Sequence, residues 1–245
     1  MLGNDRMTFR LTLLLLLAAS ALAAPAHAGA VVLWPIAPVI SSGERATALW
    51  IENRGHDPVT LQIRSFGWSQ SGGEDQYAQQ DEVVSSPPIA TVAPGQRQLV
   101  RVIRRETGTT SAEHCYRLLV DELPPPTGAA QTGEATAHLS VQMRYSIPLF
   151  TYDGQAAADA PVLRARTVIV NGQRYAEIRN IGTHHARLVD LRVVQGARSI
   201  TAAQGLAGYV LPGATMRWPL PANAPLNGTL LVNVNGTDTS LAPTA

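Results

Sequence analysis

The sequence predicts an all-β fold, and three observations predict it. Apolar and polar residues alternate over short runs, the period of a strand with one face buried. Glycine (20) and proline (17) punctuate those runs as turn formers. No stretch sustains apolar residues at the 3.6 period of an amphipathic helix.

Taken in order, the chain opens with Arg6 and Arg10, an apolar run over 11–24, and Ala26-His27-Ala28 as a small-x-small cleavage site. Residues 1–28 are therefore expected to be a secretory signal peptide. The run is shorter than the ~20 residues a span requires, so no membrane insertion is expected after cleavage. The exported remainder is assigned to the bacterial periplasm. Candidate strands follow at 31–33, 46–52, 59–66, 98–103, 116–121 and 137–147. Turn signals separate them at Ser42-Gly43, Asn53-Arg54-Gly55, Ala93-Pro94-Gly95 and the Pro/Gly-rich stretch 124–133. That many strands in roughly 120 residues describes an immunoglobulin-like sandwich.

Residues 151–161, with Asp153-Gly154 and Ala156-Ala157-Ala158, read as a short linker. A second, shorter sandwich is expected beyond it, with strands at 163–170, 174–180, 187–194, 216–220 and 229–234 and Asn171-Gly172 as a hairpin turn. The division is thus 29–152 and 153–245. Asn227-Gly228-Thr229 and Asn235-Gly236-Thr237 match glycosylation sequons but are read as turns.

Composition excludes several kinds of chemistry. Nineteen basic side chains face eighteen acidic ones, so no nucleic-acid partner is expected. All nineteen are arginines, which excludes lysine-based catalysis. Cys115 is the single cysteine, so neither an intramolecular disulfide nor a thiolate cluster forms. His184 and His185 are adjacent rather than at metal-binding spacing, and read as loop residues after Gly182. His114 and Cys115 face opposite ways in a strand, so Cys115 is expected to be a small buried residue and not a nucleophile. No catalytic residue, metal or cofactor is assigned, and an enzyme is not expected. A secreted hydrolase or metal-binding protein would need His114, His184 or His185 to converge with a carboxylate.

The informative region is 97–150. Pro94-Gly95 and Leu99-Val100-Arg101-Val102 precede Glu113, Tyr116-Arg117-Leu118 and Glu122-Leu123-Pro124-Pro125. A loop and an alternating strand then close in Ile147-Pro148-Leu149-Phe150. With Trp68-Ser69-Gln70 and Ser86-Pro87-Pro88 upstream, this order resembles the periplasmic pilus-assembly chaperones of the chaperone–usher pathway. Trp68-Ser69-Gln70 and Tyr116-Arg117 with Glu122-Leu123-Pro124 lean toward the archaic branch. The resemblance implies two immunoglobulin-like domains in an L-shaped arrangement with an interdomain cleft. It also implies partners: pilin subunits and an outer-membrane usher. The free protein has an edge through which it could self-associate.

In such chaperones a long strand is lent to a pilin subunit that lacks its own last strand, a form of β-augmentation. Here Leu139, Val141, Met143 and Tyr145 alternate with Ser140, Gln142 and Arg144, giving that strand one apolar face. Those four side chains would contribute on the order of 6–12 kcal/mol in gross transfer terms, reduced by ordering and association costs. A long strand near a sheet edge is otherwise an aggregation hazard. In the non-archaic branch an arginine of the first strand and a lysine near the end of the lent strand anchor the subunit's terminal carboxylate. This chain departs from both, because 33–39 holds no basic residue and Pro148 precedes Leu149-Phe150. Arg101, Arg104 and Arg144 are the candidate anchors, on the bidentate geometry of guanidinium. Arg101 with Glu113 also matches a charge pair that supports the domain interface in the family. The competing reading is a secreted adhesive or structural module of two sandwiches, in which the same strands are plain core.

Overall fold

The structure, a computed structural model, describes residues 31–106, 113–124, 142–153 and 160–243. The expected signal peptide, Leu139 and Val141, and the middle of the expected linker lie outside them.

Strands β1 (Val31–Trp34), β2 (Val39–Ile40), β3 (Ala46–Asn53), β4 (Val59–Ser71), β5 (Glu74–Gln79), β6 (Val83–Ser86), β7 (Ile89–Val92), β8 (Arg97–Arg104), β9 (Glu113–Leu123) and β10 (Arg144–Tyr152) build the first sandwich. One sheet runs β1-β3-β8-β6; the other runs β2-β10-β9-β4-β5, with β7 also paired to β4. Alternation sets the core: Leu49 and Ile51, Val100 and Val102, Leu61 and Ile63, Leu118 and Val120, and Ile147 and Leu149 all point inward.

Strands β11 (Leu163–Val170), β12 (Gln173–Asn180), β13 (Ala186–Gln195), β14 (Arg198–Val210), β15 (Thr215–Leu220), β16 (Thr229–Val234) and β17 (Thr237–Leu241) build the second, in sheets β11-β12-β15 and β14-β13-β16-β17. Asn171 and Gly172 turn β11 into β12 with φ of 51° and 79°, and Asn235 and Gly236 turn β16 into β17 with 51° and 91°. Both pairs have the left-handed values a two-residue hairpin demands, so the readings of Asn171-Gly172 and Asn235-Gly236 as turns hold; Asn227 also lies in a turn, but neither it nor Gly228 takes a left-handed φ. The two sandwiches share a local device. Asn53 Nδ2 donates to the carbonyls of Asp57 and Val92, and its Oδ1 accepts from Gly55 N. Asn180 does the same with His184, Val210 and Gly182. A Cβ on Gly182 would sit 2.6 Å from the backbone nitrogen of Val162, so only glycine fits there.

Two sequence expectations change at the junction. Among the described residues the last strand of the first sandwich is Arg144–Tyr152, so it runs past the expected end at 147, and Thr151 and Tyr152 belong to it rather than to a linker; residues 137–141 of the expected strand lie outside the described residues. From Ile147 to Thr151 every residue of β10 is buried. A strand alternates faces, so burial of successive residues means both faces are covered. Ile147 and Leu149 lie in the first core, while Phe150 lies in the apolar cluster of the second.

Candidate functional site

The expected lent strand is β10, and its edges differ. Along one side it pairs with β9 from Arg144↔Asp121 to Tyr152↔Glu113. Along the other, only Phe150 and Thr151 meet β2. From Arg144 to Leu149 that second edge carries no strand among the described residues. Two bonds fix which backbone groups it presents. The carbonyl of Met143 accepts from Glu122 N at 3.0 Å, toward β9, and Phe150 N donates to Pro38 O at 3.4 Å, toward β2. Alternate residues of an antiparallel ladder point their polar groups to opposite sides. The free edge therefore offers the N–H groups of Arg144 and Ser146 and the carbonyls of Arg144, Ser146 and Pro148. Pro148, with no N–H to offer, occupies a position that leaves the β9 ladder intact, the place proline takes in edge strands.

The four expected groove-filling side chains divide. Tyr145 is half-buried against the first core, and its hydroxyl donates to Glu122 Oε1 at 3.0 Å. Burial and the Glu122 carboxylate push its pKa up to about 12, so it stays a neutral donor. Met143 precedes the strand, is 41% exposed and belongs to neither apolar core among the described residues. Glu122 also accepts from Met143 N at 3.4 Å, holding the entry to the strand. Leu139 and Val141 lie outside the described residues.

The three candidate anchors are not brought together. Arg101 is exposed on β8, in the sheet that does not contain β10. Arg144 is on β10 itself, with its side chain 62% exposed. Its Nε bonds Asp121 Oδ1, while Arg64 Nη2 holds Asp121 Oδ2 at 2.6 Å. Burial would raise the Asp121 pKa, but the bonds from Arg144 and Arg64 outweigh it and hold the carboxyl below its usual range. Arg104 is buried, with Nη1 and Nη2 on the two Asp153 oxygens at 2.5 and 3.0 Å. Its fork is spent, which removes it as an open anchor.

The expected Arg101–Glu113 pair is also corrected. The Glu113 side chain is fully buried and accepts from His185 N at 2.9 Å and Tyr152 Oη at 3.0 Å, with His185 Nδ1 at 2.8 Å. Glu113 does link the two sandwiches, but through His185, because its side chain turns toward the junction and Arg101 faces solvent. Burial works against the Glu113 charge, and the bonds from His185 and Tyr152 more than offset it, so its pKa falls. His185 is thus a junction residue rather than a bland loop histidine. Its ring also stacks on Phe150 at 3.5 Å between centroids with planes 1° apart. Cys115 is half-buried, and burial followed by the Glu113 charge pushes its thiol far up, leaving it protonated and unreactive.

The motif residues Trp68, Gln70 and Arg117 occupy the same junction. Arg117 Cζ lies 3.7 Å from the Trp68 ring centroid, and Trp68 meets Tyr209 edge-on at 5.5 Å. Gln70 donates from Nε2 to Tyr209 O and accepts from Leu211 N on Oε1, both at 2.9 Å, so one side chain continues the backbone hydrogen bonding of the second sandwich. A recess of about 600 Å³ lies here, lined in part by Trp68, Gln70, Glu113, Cys115, Tyr116 and Leu211. None of the three candidate arginines lines it.

Residues 31–152 match the family described as pili and flagellar-assembly chaperone, PapD N-terminal domain. No curated protein sequence matches the chain. Among solved structures, it is similar to a chain of the CsuC–CsuE chaperone–tip adhesion subunit pre-assembly complex from the archaic chaperone–usher Csu pili of Acinetobacter baumannii. That match has 28% identity and a TM-score of 0.70 over 88% of this chain and 99% of the other. The fold is shared with the Pseudomonas aeruginosa CupB2 chaperone, at 15% identity and TM-score 0.59 over 87% and 100% of the two chains. It is also shared with a chain of the Salmonella enterica SafA pilin–SafB chaperone complex, at 15% and 0.59 over 88% and 94%. Two immunoglobulin-like sandwiches, a β10 edge unpaired among the described residues and this likeness over nearly nine-tenths of the sequence lead to one assignment: the chain belongs to the pilus-assembly chaperones of the chaperone–usher pathway.

Proposed function

We propose that this chaperone holds pilin subunits by lending them β10 and the residues just before it, and passes them to an outer-membrane usher. The free edge from Arg144 to Leu149 carries this reading. A subunit strand laid along it would take hydrogen bonds from Arg144 and Ser146, while Met143 and the preceding Leu139 and Val141 would enter the subunit's open groove. Of the candidate anchors, Arg144 stands beside the free edge with an exposed guanidinium and is the one best placed to meet a subunit carboxylate. The reading extends to a periplasmic location after removal of residues 1–28, domains divided as 29–152 and 153–245, and a binding rather than catalytic role without a cofactor. Likeness to a complex of archaic Csu pili supports the archaic branch.

A proline at position 146 tests the edge directly. It deletes an N–H that faces away from β9, so the fold of β10 is kept while one donor to the subunit is lost. Leaving a buried acceptor unpaired costs about 1–3 kcal/mol. Ser146→Pro is therefore expected to weaken capture of a co-expressed pilin subunit about tenfold or more, and Ser146→Ala, which keeps the N–H, is expected to leave it unchanged. Folding is checked by circular dichroism. Equal capture by a folded Ser146→Pro protein would remove the edge from the mechanism.

A further inference from the structure

We propose that the outer face of the β11-β12-β15 sheet is a binding site for a compact phosphate-type oxyanion. Alternation puts Ala165, Ala176, Ile178, Trp218 and Leu220 into the core of the second sandwich. Arg164, Arg166, Glu177, Arg179, Thr215 and Arg217 consequently share the opposite face. The strand register sorts them into two rows. One is Arg166↔Glu177↔Arg217, and the next is Arg164↔Arg179↔Thr215.

The first row is built around a buried carboxylate. Glu177 is 5% exposed, and its two oxygens accept from Arg166 Nε and Arg217 Nε, each at 2.7 Å. Burial alone would raise its pKa; the bonds from Arg217 and Arg166 outweigh it, so Glu177 is ionised and orients both guanidinium groups. Because each is held through Nε, the Nη groups of both arginines have no partner among the described residues. The second row has no carboxylate. Arg164 and Arg179 stand directly opposite each other, an arrangement that destabilises a sheet, and neither has an acidic partner among the described residues. Four guanidinium groups thus share this face with one carboxylate in a chain whose net charge is only +1. The excess positive charge is local.

A recess of about 330 Å³ lies against this face, lined by Gly72, Gly73, Arg166, Glu177, Arg179 and Arg217 among others. The tip of the β4–β5 hairpin forms its far wall, where Gly73 bridges to Met216 and approaches the Arg217 side chain. That volume sits at the small end of ligand sites, which run roughly 300–1,000 Å³. It suits a compact, doubly charged group bound by guanidinium forks rather than an extended acidic peptide, whose carboxylates are strung along a chain. A phosphate group free in solution and one carried on a lipid headgroup share this chemistry.

The test uses the protein without its leader, alone, at constant ionic strength. Inorganic phosphate is titrated by calorimetry and by thermal unfolding against matched chloride, for the native protein and for Arg164→Gln/Arg179→Gln. Neither residue holds Glu177, so the variant is expected to be at least as stable as the native protein in phosphate-free buffer. Native protein is expected to bind phosphate and gain thermal stability, and the variant to bind at least tenfold more weakly. Sedimentation with phosphatidic acid vesicles against phosphatidylcholine vesicles separates the sources. Binding of free phosphate alone supports a soluble ligand; binding of phosphatidic acid vesicles, lost in the folded variant, supports a lipid headgroup. Equal behaviour of native and variant protein toward both probes overturns the proposal, as does binding of polyglutamate in preference to phosphate.

Discussion

Arg104→Ala is expected to cost about 3–5 kcal/mol of folding stability, the range for removing one partner of a buried ion pair. Arg104 follows Val100 and Val102 on the inward face of β8, and its guanidinium is 5% exposed. Asp153, at the end of β10, is 2% exposed and takes both Nη groups of Arg104, with His114 Nε2 2.9 Å from its Oδ2. Removing Arg104 takes both guanidinium bonds from a buried carboxylate, with His114 among the partners it keeps. Replacing both partners, as Arg104→Leu/Asp153→Leu, is expected to recover most of the loss, because the penalty comes from the orphaned charge rather than from the missing attraction. Urea unfolding measures both. The same pair sets an acid limit. The Arg104 bond, opposed by burial and helped by His114, holds the Asp153 pKa below its usual value. A lowered folded-state pKa contributes stability that is complete above the ordinary aspartate range near pH 4 and is lost as pH falls through the folded value. Native protein should therefore lose stability below about pH 4, and Asp153→Asn should flatten that part of the curve. An Arg104→Ala loss under about 1 kcal/mol would mean that the pair is open to solvent.

Phe150→Ala is expected to cost about 3–5 kcal/mol, the range for an aromatic side chain removed from a core. Phe150 is 1% exposed, stacked on His185, and lies 6.0 Å from both Trp68 and Tyr209. It belongs to a strand of the first sandwich but packs into the cluster of the second. Its loss should therefore lower the unfolding temperature of the second sandwich more than that of the first. Proton resonances of the His185 ring, now directly over the Phe150 face, should move downfield as the ring current disappears. An unchanged His185 spectrum in a folded variant would contradict the stacked geometry.

How much of this the sequence disclosed depends on where each residue gets its stability. Strands with apolar residues at alternate positions, such as Val59–Ser71 and Glu113–Leu123, were legible and proved longer than expected. Strands β5 and β17 were not. Glu74–Gln79 and Thr237–Leu241 are polar edge strands held by their ladders to β4 and β16, and no apolar face marks them. Strand β14, rich in alanine and glycine, is defined by its pairing with β13 across several register shifts. At the site, Trp68, Gln70 and Arg117 were recognised as motif residues, and the structure gives the reason: they join the two sandwiches. The His185–Glu113 contact spans 72 positions and leaves no local periodicity to read. Arg104 did leave a signal, since a charged residue sharing the parity of Val100 and Val102 must find a buried partner.

The open edge of β10 is tested most directly by amide hydrogen exchange of the free chaperone and of its one-to-one complex with a pilin subunit. The N–H groups of Arg144 and Ser146 should exchange fast in the free protein and slow at least a hundredfold in the complex, while those of Tyr145 and Ile147, bonded to β9, stay protected in both. Arg144 and Ser146 amides that exchange equally fast in the complex would show that the subunit is held elsewhere.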